Sequence, residues 1–255
     1  MKYLIFLLPV FLTAQYNPIG SNTAVLLRPD KGISLNGVNI IGWTNQVDNV
    51  VLIPDNPADT SDSPAYTNNE PTFTTTNTEH LEAPSANLYM QIGTSDFTIS
   101  IRFKKPTLAI NQRLLSVGAG AQTTQFAIGA GPVNTDYIFA YNLSNLTQTA
   151  NINNTDYFII TVVRSGNSGT IYLNGAFPVT NASYFTNLNL ITTTRFFTIG
   201  ARLDGASNHF DGIITDIKID YEALALSEIE KYINWIAESR PSTDKGFKKF
   251  NRYNE

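Results

Sequence analysis

The acidic residues near the end of the chain have a spacing that could support glycoside hydrolysis. Asp216 and Asp220 lie within the apolar segment 213–221, and Glu222 follows directly. Side chains two residues apart share one face of a strand, where one carboxylate could act as a nucleophile and another as an acid. Lys218 lies between them, however, and a neighbouring lysine keeps a carboxylate ionised. We therefore interpret these residues as the solvated polar face of the last strand.

Other residue types that carry chemistry are scarce. The chain has no cysteine, which excludes disulfides, thiolate zinc sites and cysteine nucleophiles. The two histidines, His80 and His209, lie far apart and lack His-x-x-x-His spacing, so the sequence does not predict a zinc site. A Ser-His-Asp arrangement stays open from spacing alone, although no Gly-x-Ser-x-Gly elbow is present. We predict no catalytic residues and no enzymatic activity.

Composition and charge favour an all-β protein that does not bind nucleic acid. Of the 255 residues, 42% are hydrophobic and only 15% are charged, and the formal net charge is -4. Asn and Thr are the main polar residues, and both suit turns and solvated strand faces. No basic stripe runs through the body of the chain. Because nucleic-acid binding requires cationic groups that contact phosphates, we predict no nucleic-acid partner.

The two ends of the chain differ in composition from its body. Residues 1–14 combine Lys2 with an apolar stretch, which is the layout of a signal peptide or hydrophobic leader. That stretch is short for a bilayer, and we expect no stable membrane span beyond it. We predict a linker over residues 15–23, one domain over 24–240 and a flexible polar tail over 241–255. The protein is expected to be secreted or at the cell surface or, with an uncleaved leader, in a virion.

Hydrophobic periodicity in the body predicts many short strands and one helix. Residues 97–104 alternate apolar and polar, which predicts a half-buried strand, whereas residues 157–163 are apolar on both faces and suit a central strand. Segment 213–221 is the clearest strand, and apolar residues at helical spacing over 229–236 predict a closing helix. Residues 54–80, rich in Pro, Asn, Thr and Ser, are interpreted as an irregular connection. This pattern predicts a two-sheet antiparallel jelly-roll sandwich with one C-terminal helix.

Two stretches resemble the laminin G-like, concanavalin A-like jelly rolls common in bacterial and phage surface proteins. The second stretch, residues 197–235, has a strand ending in Ile-Gly, a Phe-Asp-Gly segment, a final strand and a Leu-Ser-x-x-Glu-Ile-like helix start. The resemblance covers about residues 24–238 and implies the concanavalin A-like fold. In the first stretch, residues 26–50, the family's turn, tryptophan and acidic positions are filled by Asp30, Gly32, Gly37, Trp43 and Asp48. We interpret Trp43 as a core residue, since large aromatic side chains are mostly buried.

The resemblance also implies where a ligand would bind. Laminin G-like domains often hold calcium or sugar at the edge loops of the sandwich, and one such loop carries Asp204, Asn208, His209 and Asp211. Carboxylate and amide oxygens suit calcium, for which Asp204 and Asp211 are the candidate ligands. No other cofactor is predicted. The alternative is that the Asp-Gly pairs beginning at Asp204 and Asp211 simply make turns.

Taken with the missing catalytic motifs, these features predict an exported, non-catalytic binding or adhesion module that binds carbohydrate. The Glu-x-Asp-x-x-Glu motif of laminarinase-type members of the fold is absent, and so is the Gln-Ile-His segment of its alginate lyases. The expected partner is a glycan or a surface protein. Two alternatives stay open: a structural virion or cell-surface protein that makes protein contacts, and a glycoside hydrolase or lyase.

Overall fold

The computed structural model gives the protein two antiparallel sheets and one helix. The description covers residues 16–55, 61–75, 78–84, 89, 93–105, 112–118, 125–131, 137–142, 144–149, 156–190, 196–202 and 208–239. Segment 204–207 of the predicted ligand loop, the leader 1–14 and the tail 241–255 lie outside the described residues.

The larger sheet has eleven strands within these residues. They are β1 (Thr23–Leu27), β2 (Ile33–Asn36), β3 (Asn39–Thr44), β4 (Val51–Leu52), β5 (Ala65–Thr67), β6 (Glu70–Phe73), β8 (Phe97–Lys104), β13 (Phe158–Ser165), β14 (Ser168–Leu173), β15 (Ala176–Asn181) and β17 (Gly212–Asp220). Their order is β15-β14-β13-β8-β17-β6-β5-β3-β2, with β1 beside β17 and β4 beside β3.

The smaller sheet has six strands in the described part of the chain, in the order β12-β11-β10-β9-β16-β7. They are β7 (Leu81–Glu82), β9 (Gln112–Gly118), β10 (Gln125–Ala130), β11 (Tyr137–Asn142), β12 (Ser144–Thr149) and β16 (Phe196–Ile199), and one helix, α1 (Leu226–Ser239), follows β17. The predicted all-β, two-sheet sandwich with one C-terminal helix is confirmed. None of the helices described is long and apolar enough to cross a membrane.

The core lies between the two sheets and is rich in aromatic rings. Phe97 of β8 packs against Phe126 of the facing sheet and against Phe185, with ring centroids 5.3 and 5.4 Å apart. All three rings are fully buried. Trp43 is also fully buried, as predicted, and its indole N–H donates a 2.9 Å hydrogen bond to the carbonyl of Arg28. Burial of these large apolar surfaces is the main stabilisation of the sandwich.

The prediction that one face of residues 97–104 is solvated is wrong. Thr98, Ser100 and Arg102 on that face are 1%, 4% and 2% exposed. On the outer face of the larger sheet, helix α1 packs against β1 and β13, and the ring of Tyr157 lies over the guanidinium of Arg102 at 3.7 Å. Ser100 shares a 2.9 Å hydrogen bond with Thr161, and the Thr98 hydroxyl donates to the carbonyl of Glu222 at 2.8 Å. The periodicity of one strand does not show whether another part of the chain packs over its polar face.

The polar face of β17 is buried for the same reason, which contradicts its interpretation as a solvated face. Asp216, Lys218 and Asp220 are at most 4% exposed. Lys218 forms an ion pair with Asp220, which also accepts a 2.7 Å hydrogen bond from the hydroxyl of Thr23. The carboxylate of Asp216 lies 4.0 Å from the guanidinium of Arg102. These carboxylates are therefore bound to cations within the fold.

A β-bulge in β17 changes which of its residues face the core. Ile214 pairs with Phe103 and Ile217 with Ile101, so β17 has one more residue than β8 between these pairs. Ile214, Ile217 and Ile219 therefore belong to the core, while Ile213 is only half-buried. The alternation of core-facing and outward side chains along residues 213–221 is therefore interrupted at this bulge.

Part of the connection predicted over residues 54–80 is a hairpin. Strands β5 and β6 pair across Asn68 and Asn69, whose φ angles are 54° and 65°. Two consecutive left-handed residues are the geometry of a type I′ turn, and asparagine adopts that conformation more readily than most residues. The interpretation of this whole segment as irregular is wrong.

Helix α1 seals the outer face with a second apolar cluster. Ile229, Tyr232, Ile233 and Ile236 are buried on the helix and pack in one cluster with residues of β1 and β13, including Leu26. This burial positions the remaining side chains of α1, among them Trp235, beside the segment that precedes β1.

Candidate functional site

The loop predicted to bind a ligand is only partly described. Asp204 lies outside the described residues. Asn208 has a φ of 55°, and its carbonyl accepts a 2.9 Å hydrogen bond from the backbone N–H of Arg113. His209 and Asp211 are half-buried. Among the described residues no group of three or more His, Asp or Glu side chains has a metal-binding arrangement, so calcium at Asp204 and Asp211 stays a prediction.

The structure places the two histidines together, which the sequence did not predict. The rings of His80 and His209 have centroids 6.3 Å apart. His80 is buried, its Nδ1 lies 2.9 Å from the carbonyl of Thr78 and its Nε2 lies 3.6 Å from Oε1 of Glu82. That second distance suits an ion pair but is too long for a hydrogen bond. His80 and His209 lie far apart in sequence, so no local pattern predicts that their rings are close.

The surroundings of the two histidines shift their pKa values in opposite directions. Burial opposes protonation of His80, but Glu82, the Thr78 carbonyl and Asp55 outweigh it, so the pKa of His80 is raised. Burial lowers the pKa of His209, and the nearby charge of His80 lowers it further. As the pH falls, His80 therefore takes up its proton first.

Replacing His80 with glutamine is expected to raise the pKa of His209 towards its usual value. The substitution removes the charge of His80 but leaves the burial of His209 in place, so the pKa should stay below 6.5. NMR titration of the imidazole of His209, then the only histidine in the chain, measures the shift. An unchanged titration would show that the two rings do not interact.

A second candidate site is a groove of about 530 Å³ beside helix α1. It lies where the segment before β1, the turn after β1 and the helix meet. Aromatic and aliphatic surface and several polar side chains line it together. The lining residues are Tyr16, Asn17, Pro18, Ile19, Leu26, Arg28, Lys31, Gln46 and Trp235.

Packing fixes the aromatic wall of the groove. The rings of Tyr16 and Trp235 meet edge to face with centroids 6.4 Å apart, and Trp235 stacks on Tyr232 at 5.8 Å. The guanidinium carbon of Arg28 lies 4.6 Å from the Trp235 ring centroid. The indole is therefore held in place by Tyr232 and Arg28, and together with Tyr16 it forms the aromatic wall of the groove.

The hydroxyl of Tyr16 stays protonated at neutral pH. Burial, together with the negative charges of Asp220 and Glu228, raises the pKa of Tyr16 to about 12. A protonated phenol can both donate and accept a hydrogen bond. Gln46 adds an amide whose Nε2 donates to the carbonyl of Thr44 at 2.8 Å, which orients this side chain at the groove.

This mixture of groups suits a polar small molecule with an apolar face. Binding clefts typically combine apolar surface with a few polar groups that fix orientation. Carboxylic acids that could act as a general acid and a nucleophile are absent from the described lining. The groove can therefore hold a ligand but offers no pair of carboxylates for glycoside hydrolysis.

Sequence reasoning missed the groove because its residues come from both ends of the domain. Tyr16 lies in a segment predicted to be a linker, and Trp235 was assigned only to the closing helix. No motif joins them, since they meet only when β1 pairs with β17 and brings the two ends together. The only sequence signal was an aromatic residue near each end of the domain, and such a residue does not show which other residue it contacts.

A comparison with protein families finds a match over much of the chain. The laminin G model described as the concanavalin A-like lectin/glucanases superfamily matches residues 75–230, more than half of the sequence. Most of the second stretch that resembles this family lies inside the match, and the first stretch, residues 26–50, lies before it. A search of curated proteins found no match.

Solved structures share the architecture at low sequence identity. Trypanosoma rangeli sialidase in complex with sialic acid aligns with a TM-score of 0.62 and 14% identity, over 90% of this chain and 35% of that one. NanB with Optactamide aligns with a TM-score of 0.50 and 18% identity, over 63% of this chain and 26% of that one. The chain spans about a quarter to a third of those two chains, and such identities show the fold alone. The family match establishes that the chain belongs to the concanavalin A-like lectin/glucanases superfamily.

Proposed function

We propose that the protein is an exported carbohydrate-binding module without catalytic activity of its own. The groove beside α1 carries this proposal, because its wall joins a rigid aromatic surface to side chains that can hydrogen-bond to hydroxyl groups. Sugars present both kinds of surface, a ring of C–H groups and a rim of hydroxyls. The lectin and glucanase family of the chain supports the same class of ligand.

The surroundings of the acidic residues support a binding role. Asp216 is paired with Arg102, and Asp220 with Lys218. Both carboxylates are buried, and neither belongs to the groove lining. Each carboxylate is therefore buried and paired with a cation of the fold rather than presented to a ligand in the groove.

A glycan array with the wild-type protein and the Gln46→Ala variant tests the proposal. We expect a defined set of glycans to bind, and we expect the variant to bind them about tenfold more weakly, because it loses one hydrogen-bonding side chain of the groove. Thr180→Ala, at an exposed threonine pair of β14 and β15, is the control and should bind normally.

Two outcomes would contradict the proposal. Failure of every glycan to bind would favour the alternative role of a structural surface or virion protein. Release of reducing sugar by the folded wild-type protein would favour a hydrolase. The proposed export has its own measurement, the N-terminal sequence of the mature protein from its native source, which should lack the leader.

A further inference from the structure

Two cationic side chains line the groove. Arg28 and Lys31 both line the groove, and no Asp or Glu occurs in its described lining. Asp30 pairs with Arg28, and Asp220 and Glu228 lie near Tyr16, so Lys31 is the cation of the lining that has no carboxylate partner among the described residues. A negatively charged group of a bound glycan could pair with a cation in this groove.

Asp30 and Trp235 fix the guanidinium of Arg28 in one orientation. Its Nε and Nη2 donate to the carboxylate of Asp30 at 3.0 and 2.8 Å, and its guanidinium lies over Trp235. Within the part of the chain that the structure describes, Nη1 makes no hydrogen bond. A guanidinium fixed in this way loses little conformational entropy on binding, and its remaining N–H groups can donate to a second carboxylate or to a sulfate.

The turn after β1 places Lys31 beside this arginine. The backbone N–H of Lys31 donates to the carbonyl of Arg28 at 3.2 Å, which closes the turn. Gly32 follows with a φ of 75°, a conformation that glycine adopts at little cost. The ammonium group of Lys31 has no carboxylate partner among the described residues, and the side chain is exposed. Arg28 and Lys31 therefore lie at the two ends of one short turn.

These residues are a property of this chain and do not follow from its family. Every residue of the groove lining precedes residue 75 or follows residue 230, so all of them lie outside the matched region. The ligand class must therefore come from the chemistry of the groove.

We propose that the groove selects acidic saccharides, with Arg28 and Lys31 binding the carboxylate or sulfate group and the Tyr16–Trp235 wall packing against the sugar. This inference rests on the proposed function, since it assumes that a glycan occupies the groove. The surface around Arg28 includes Asp30, which competes with the anion for the guanidinium. Binding should weaken as salt is raised, because exposed charges are screened.

The test compares matched neutral, sialylated and sulfated forms of the same oligosaccharides by titration calorimetry. We expect the acidic forms to bind at least about tenfold more tightly than the neutral forms, and Lys31→Gln to remove most of that preference. Lys231→Gln is the matched control, because Lys231 is an exposed lysine of α1 outside the groove lining. The sialylated and sulfated forms tell whether a carboxylate or a sulfate is preferred.

Asp30→Asn distinguishes recognition of charge from a structural role. Removing the competing carboxylate should tighten binding of the acidic forms about threefold or more and leave the neutral forms unchanged. A variant that only loosened the turn would weaken both. Equal binding of neutral and acidic forms would overturn this inference and leave the proposed function standing, whereas absence of all glycan binding would overturn both.

Discussion

Replacing Gly200 with alanine is expected to lower the free energy of unfolding by about 2–5 kcal/mol. Gly200 has a φ of 86°, which an L-amino acid with a side chain adopts only with strain. A Cβ at this position would also lie 2.5 Å from Cδ1 of Phe73, a ring that is fully buried in the core. Urea unfolding measures the loss.

Gly166→Ala is the matched control for this variant. Gly166 also has a positive φ, 57°, but no atom lies within 4 Å of the Cβ that alanine would add. Only the backbone strain then remains, about 1–2 kcal/mol. Equal losses in the two variants would show that the ring of Phe73 can move aside, and that the core at this edge is less tightly packed than described.

Replacing Lys218 with methionine is expected to lower the free energy of unfolding by about 3–5 kcal/mol. The side chains of Lys218 and Asp220 are only 5% and 4% exposed, so the variant leaves a carboxylate buried without its cation. The hydroxyl of Thr23 remains as a donor but carries no charge. Chemical denaturation followed by circular dichroism measures the change.

Lys231→Met makes the same change at an exposed ion pair. The side chains of Lys231 and Glu228 are 58% and 43% exposed, and such pairs contribute about 0–1 kcal/mol. The double variant Lys218→Met with Asp220→Leu should recover much of the stability lost in the single variant, because no unpaired charge remains. A small effect of Lys218→Met would mean that water reaches Asp220 beneath the helix.

The fold could be predicted from the sequence because each strand carries its own signal. Alternation in residues 97–104 and the apolar run over 157–163 report what one strand buries against the facing sheet. The closing helix follows from isoleucines at helical spacing. Strand periodicity and helical spacing are both local patterns, so they can be recognised without knowing which segments pack against them.

The burial of the polar faces and the position of the groove could not be predicted in the same way. Lys218 and Asp220 look like ordinary solvated charges until α1 is laid across them, and this packing involves residues far apart in sequence. The same holds for His80 beside His209. Tyr16 and Trp235 meet only because β1 pairs with β17.

The pairing of β1 with β17 has a consequence for how the chain folds during synthesis. β17 contacts β1, β6 and β8, so it holds the middle of the larger sheet together, yet Asp220 lies 197 residues after its partner Thr23. A nascent chain lacks this strand until most of the protein has left the ribosome, and folding dominated by such distant contacts is slow. The larger sheet can therefore close only after residue 220 has been synthesised, and its earlier strands stay without their central partner until then.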